Sequence, residues 1–152
     1  KMAGGFTLKK EKIPVFRDFL IKNFEKSNIA TLKETNLYID TIIAPSALNE
    51  DFFEQINFLS PFGSGNSEPK FVIENLQVIT SYLVADKHIK TVLSGKDGSV
   101  IKSVAFNAKD SSLEPFLNKK SNKNLNIAGK MNLNEWRGKK DVEFIIEDIA
   151  LY

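Results

Sequence analysis

The stretch NLNIAGKMNLNEW, residues 124–136, puts Leu125, Ile127, Gly129, Met131 and Leu133 at every second position. Successive side chains of a strand point to opposite faces, so this spacing predicts a strand with one apolar face. Gly129 interrupts the series. A glycine in mid-strand weakens pairing, and it marks places where the backbone bulges or bends sharply, as a small closed barrel requires.

The pattern extends in both directions. Downstream, RGKK (137–140) predicts a turn and DVEFIIEDIALY (141–152) a last strand. Upstream, SSLEPFLNK (111–119) reads as a short helical or loop insert, and SVIKSVAFN (99–107) as a strand. KDG (96–98) is a turn signal. HIKTVLSG (88–95) alternates, with Ile89, Thr91 and Leu93 on one face, and KFVIENLQVITSYLV (70–84) is strand-like throughout. Five strands with one short helix between the third and fourth predict an OB-fold, a small Greek-key barrel that often binds single strands.

Ahead of the barrel the texture is mixed. KKEKIPVFRDFLIKNFEK (9–26) repeats Ile13, Phe16, Leu20 and Phe24 at helical spacing, with Phe19 beside them and Pro14 in the first turn. LYIDTIIA (37–44) reads as a strand ending before Pro45. Asn49 is placed as an N-cap, with Glu50 and Asp51 in the favourable first turn. The helix after it buries Phe52 or Phe53, Ile56 and Leu59, and ends near Ser60 because Pro61 follows. PFGSGN (61–66) then separates this part from the barrel. Its glycines suit a structural turn. They could also aim N–H groups at an anion, but the Lys-Ser/Thr of a P-loop is missing and no helix follows. The fold class expected is therefore α+β: a partial α/β segment (1–44), a connecting helix and junction loop (45–69), and a five-stranded OB barrel (70–152).

Composition narrows the chemistry. The 152 residues include twelve Phe and are 42% hydrophobic, enough for a packed core. No apolar run approaches the ~20 residues of a membrane helix. The start lacks the apolar segment of a signal peptide, so a cytoplasmic location and no membrane partner are expected. Cys is absent and His occurs once, which excludes disulfides, thiolate sites and His-rich metal sites. The chain opens on Lys1 rather than Met, as expected of a piece of a longer protein.

The net charge of +2 is unevenly spread. Residues 1–69 hold 8 Lys+Arg and 9 Asp+Glu, net −1, and residues 70–152 hold 13 and 10, net +3. Within Asp86–Lys140 there are 12 basic and 5 acidic residues, net +7. Such a segment attracts a polyanion. On charge alone, a solvated Lys-rich face explains it more simply.

A catalytic site is hard to assemble. A triad needs a base, and His88 has no obvious Ser or Cys partner. Glu147 and Asp148 are placed on opposite strand faces, and Glu135 reads as a charge partner for its neighbours. A binding site is easier. Lys87, His88 and Lys90 cluster at one strand start, and Trp136, Arg137, Lys139 and Lys140 at a hairpin, with Lys130 on the strand before it. Aromatic rings stack on unpaired bases while Lys and Arg neutralise phosphates. Trp136 is equally readable as a stacking surface and as a core anchor, and Phe106 as a core anchor.

The motifs resemble a known family. PFGSGNSEPKF (61–71) is similar to the Pro-Phe-Gly-x-Gly-Asn-x-Glu-Pro-x-Phe signature of the RecJ family of single-strand-specific DNA exonucleases. DKHIK (86–90), VAFN (104–107) and NEWRG (134–138) match the OB domain of that family in spacing. KMAGGFTL (1–8) resembles the tail of its Gly-Gly-His-x-x-Ala-Ala-Gly motif, with Gly4 in place of the second Ala. The resemblance implies a DHH phosphoesterase that degrades single-stranded DNA 5′ to 3′ in repair and recombination. Its catalytic domain, with Mn²⁺ or Mg²⁺ on Asp and His residues, would lie outside this chain, leaving a fragment with no cofactor of its own and no activity alone. Residues 1–44 would be the end of a DHHA1-type domain. Lys87, Lys90, Lys130, Arg137 and Lys139 would contact phosphates, Trp136 or His88 would offer a stacking surface, and Asn134 falls within the NEWRG motif. The alternative is a spacer, or an OB module that docks a protein such as a single-strand-binding protein.

Overall fold

The structure is a computed structural model, and it describes residues 5, 7–26, 36–118, 123–136 and 138–152. These fall into two compact units, Lys1–Leu37 and Tyr38–Tyr152.

In the first unit, a 3-10 turn over Lys10–Lys12 leads into helix α1, Ile13–Lys26. Phe16 stacks on Phe19 with ring centroids 6.3 Å apart. Ile13, Phe19 and Leu20 are exposed, so this unit does not itself cover the apolar face that the spacing predicted. The side chain of Phe24 and the opening residues 1–4 of the expected motif tail lie outside the described residues.

The second unit is a closed five-stranded β-barrel with one added strand. Its strands are β1 (Thr41–Ile43), β2 (Phe71–Val84), β3 (His88–Ser94), β4 (Val100–Ala105), β5 (Leu125–Trp136) and β6 (Lys139–Leu151). They run in the order β1-β2-β3-β4-β6-β5, and β2 closes the barrel by pairing with β5. All barrel pairings are antiparallel except β4 with β6. One strand, β2, serves both ends of the closure. Its first half pairs with β5 and its second half with β3, with register breaks at Ile73/Leu76 and Val78/Thr80 where it curls.

Gly129 makes the curl of β5 possible. The β5–β6 register slips by one residue between Ala128 and Gly129. A Cβ on Gly129 would lie 1.9 Å from the carbonyl oxygen of Ile145. Only glycine allows the two backbones to approach this closely.

The inward series is the predicted one. Ile89, Thr91 and Leu93 are buried from β3, and Leu125, Ile127 and Met131 from β5. Phe144 fills the centre at 0% exposure. Thr91 and Ser103 satisfy each other's hydroxyls inside the barrel, 2.6 Å apart, so their burial is not left uncompensated. The short helix α3, Glu114–Leu117, sits between β4 and β5 as expected and adds Leu117 to the core.

Two expectations change ahead of the barrel. The segment 37–44 forms a strand only over Thr41–Ile43, parallel to the start of β2. Asp40 extends that pairing by its side chain, its Oδ2 accepting from Lys70 N at 2.9 Å. Helix α2, Glu50–Asn57, is capped as predicted, with Asn49 Oδ1 accepting from Phe52 N at 2.9 Å. Such a cap contributes about 1 kcal/mol. Ile56 is buried, and Phe52 packs on Phe71 with ring centroids 5.7 Å apart. Leu59, expected inside, is 58% exposed because it lies two residues past the end of the helix at Asn57, just before the Ser60–Pro61 peptide.

Candidate nucleic-acid interface

The 61–66 loop is a structural turn. Gly63 and Asn66 bond to each other through both backbone N–H groups, at 2.8 and 3.2 Å. Gly65 supplies the left-handed residue between them, at φ +84°. Asn66 Nδ2 then staples the loop to Leu59 O at 2.9 Å and Pro61 O at 3.0 Å. Two of the N–H groups that an anion would need are already taken. Phe62, just before the turn, packs against the barrel core.

The outer surface of β2, β3 and β4 is different in kind. Tyr82 stands opposite Lys90, and Lys90 opposite Val104. Because Ile89 pairs with Ala105, His88 and Phe106 are the next pair outward along the same two strands. Their rings meet edge to face, with centroids 5.1 Å apart and planes at 81°. His88 Nδ1 accepts from Asn107 N at 2.9 Å, which helps fix the ring. The core placement expected for Phe106 is wrong: the ring is 54% exposed. Ile101, Ser103 and Ala105 point inward, and Phe106, one residue past the end of β4, takes the opposite parity, which Lys102 shares and on which Val104 is covered. Tyr82 is also 54% exposed. These two aromatic residues and Lys102 are the members of this surface that sequence reasoning missed.

Lys87 belongs to the turn that begins this surface. Ala85 and Asp86 both have positive φ, 50° and 54°, and Lys87 N closes the turn onto Val84 O at 3.2 Å. Asp86 is engaged by Lys109 at 2.5 Å, and this carboxylate partner raises the Lys109 pKa above its ordinary value. Lys87 is exposed and has no ion pair among the described residues.

Two of the other predicted phosphate contacts, Lys90 and Lys130, are already occupied, as are the neighbouring lysines Lys102 and Lys140. Lys90 Nζ lies 3.1 Å from Glu143 Oε1, and Asn134 Nδ2 reaches the same oxygen at 3.5 Å. Lys102 is 2.9 Å from Asp141 Oδ2. Lys130 is held by Glu68, away from Lys90 around the barrel. Lys140 lies 3.4 Å from Glu50. Lys90 and Asn134 are thus brought together on one carboxylate, and His88 is brought to Phe106. Arg137 and the side chains of Trp136 and Lys139 lie outside the described residues.

No group of three or more His, Asp or Glu among the described residues could hold a metal ion. The donors present do not fit a divalent cation site. Glu147, beside Asp148 in sequence, is engaged by Lys70, while Asp148 Oδ1 accepts from Ile149 N. Among the described residues, no helix is long and apolar enough to cross a membrane.

Comparison with known proteins follows the barrel. The family described as the RecJ OB domain matches residues 39–148. A single-stranded-DNA-specific exonuclease RecJ of Bacillus subtilis is 28% identical over 99% of this chain and 19% of its own length. The exonucleases of that name from Dickeya dadantii and Escherichia coli are 26% and 23% identical, over 97% of this chain and 25% of theirs. The chain therefore spans about a fifth to a quarter of the length of these relatives. Crystal structures of RecJ from Thermus thermophilus, in complex with Mn²⁺ and with Mg²⁺, share the fold with TM-scores of 0.59 and 0.58 at 20% and 21% identity. They align over 95% of this chain and 20% and 21% of theirs.

Proposed function

This chain belongs to the RecJ OB domain family, and from that premise we propose that it is the strand-gripping barrel of a RecJ-like 5′-to-3′ single-stranded-DNA exonuclease acting in DNA repair and recombination. Hydrolysis, and the Mn²⁺ or Mg²⁺ that serves it, belongs to another part of that protein. The barrel's part is to bind and align the unpaired strand. Alone it has no activity.

The observation that carries this reading is the surface of β2–β4 beside the 85–87 turn. In OB-folds the face of the second and third barrel strands, with the loop joining the first two, binds oligonucleotides. Here those strands are β3 and β4, and that loop carries Lys87. Tyr82 and Phe106 give the face exposed rings and His88 a half-buried one, each able to stack on a base at about 1–3 kcal/mol. Duplex bases are already stacked and cannot offer their faces, so the same surface selects unpaired strands.

The ion pairing of Lys90, Lys102 and Lys130 favours a second reading, in which the barrel docks a protein such as a single-strand-binding protein. Fluorescence anisotropy separates the two. A labelled ~20-nucleotide single strand should bind this chain and a duplex of the same length should not. Failure of the single strand to bind at low salt, with capture of a single-strand-binding protein, would establish the docking reading instead.

A further inference from the structure

The proposed strand-binding role leaves open what part of the strand the barrel holds, and the ion-pair pattern bears on that. The +7 window of Asp86–Lys140 suggests a phosphate-binding surface, but on the face of β3 and β4 its lysines Lys90 and Lys102 are already paired. Five of its cations, Lys90, Lys102, Lys109, Lys130 and Lys140, sit in ion pairs. Four of their partners, Glu50, Glu68, Asp141 and Glu143, come from outside the window. A lysine already neutralised by a carboxylate holds no phosphate unless that carboxylate is displaced, so the electrostatic gain largely cancels.

The apolar part of the face is uncompensated. Phe106 and Tyr82 are each more than half exposed, and His88 meets Phe106 edge to face. His88 is held by Asn107 and stands at nearly a right angle to Phe106, so the corner of two rings exists before any ligand arrives. Preorganised rings lose little freedom on binding.

Resting on the single-strand reading, we propose that this face grips the bases and not the phosphates: Phe106, His88 and Tyr82 stack on the unpaired bases of the strand, and Lys90 and Lys102 remain with Glu143 and Asp141. The barrel then senses unpaired bases directly, independent of sequence.

The test compares two labelled 20-mers with equal phosphate number, one of thymidine and one built wholly of abasic sites, against this chain at 50 and 200 mM salt. The thymidine strand should bind at least about tenfold more tightly, with a slope of log affinity on log salt below about two. Phe106→Leu keeps an apolar side chain on the surface and removes the ring. It should weaken thymidine binding about fivefold, leave abasic binding and the salt slope unchanged, and keep the wild-type unfolding midpoint. Equal affinity for both strands with a slope of about four or more would overturn the base-grip inference while leaving single-strand binding intact. Failure of both strands to bind would overturn the single-strand reading and this inference with it.

Discussion

One carboxylate on β6, that of Glu143, ties β3 to β5 across the outside of the barrel: Lys90 Nζ lies 3.1 Å from its Oε1, and Asn134 Nδ2 lies 3.5 Å from the same oxygen. Sequence proximity assigned Lys90 to phosphate. The fold assigns it to Glu143. Substituting Glu143→Gln keeps the shape and removes the charge. The freed Lys90 should then raise single-strand affinity severalfold at low salt and steepen the salt slope by roughly 0.7, the value for one added phosphate contact on a single strand. Stability should fall by no more than about 1 kcal/mol, as for a partly exposed pair. Anisotropy at several salt concentrations reads both effects, and an unchanged or weaker affinity would show that Lys90 already meets the strand.

At Gly129 a Cβ would meet the Ile145 backbone rather than a side chain that could swing aside. Gly129→Ala should therefore cost at least about 2 kcal/mol in urea unfolding, toward the upper end of what an added methyl costs in a packed interior. A loss below about 0.5 kcal/mol would mean the barrel can widen at this crossing.

Asn66 gives its amide to two carbonyls of the junction loop. Asn66→Ala should reduce stability by about 1–2 kcal/mol through those lost bonds and leave strand affinity unchanged. A fall in strand affinity at constant stability would restore the anion-site reading of PFGSGN.

Asp97 closes the β3–β4 turn by accepting from Ser99 N at 3.0 Å, and that bond lowers its pKa below the ordinary 3.8. A carboxyl lowered on folding contributes stability above its unfolded pKa, and the contribution is lost as pH falls through the folded value. An NMR titration should show Asp97 with a midpoint below 3.8 and the Ser99 amide shifting in step. A midpoint at or above 3.8 would mean the turn is open in solution.

Much of the fold is legible in period-two spacing. Ile89, Thr91 and Leu93, and the series from Leu125 to Met131, face inward as their alternation says, and Asn49 caps its helix. Gly129 announces a close approach, though not its partner Ile145, which sits sixteen residues on and is set opposite by the register of the β5–β6 hairpin and its one-residue slip at Ala128/Gly129. The parallel docking of β1 on β2 has no local signature. Phe106 was misplaced by weighing residue type over position: it lies just past β4, on the parity opposite Ala105, where its ring is left 54% exposed. The charge of the Asp86–Lys140 window misleads because ion pairing is set by strand neighbours, and β6 brings Asp141 and Glu143 to cations far away in sequence.

The central claim is that an unpaired strand lies on the outer face of β3 and β4. The most direct test is a ¹H–¹⁵N NMR titration of this chain with a short thymidine oligonucleotide. The largest shifts should fall on the amides of Tyr82, residues 87–90 and Phe106, with Asn66 and the α2 amides unmoved. Shifts centred on α2 and the 61–66 loop, with residues 87–90 unchanged, would contradict it.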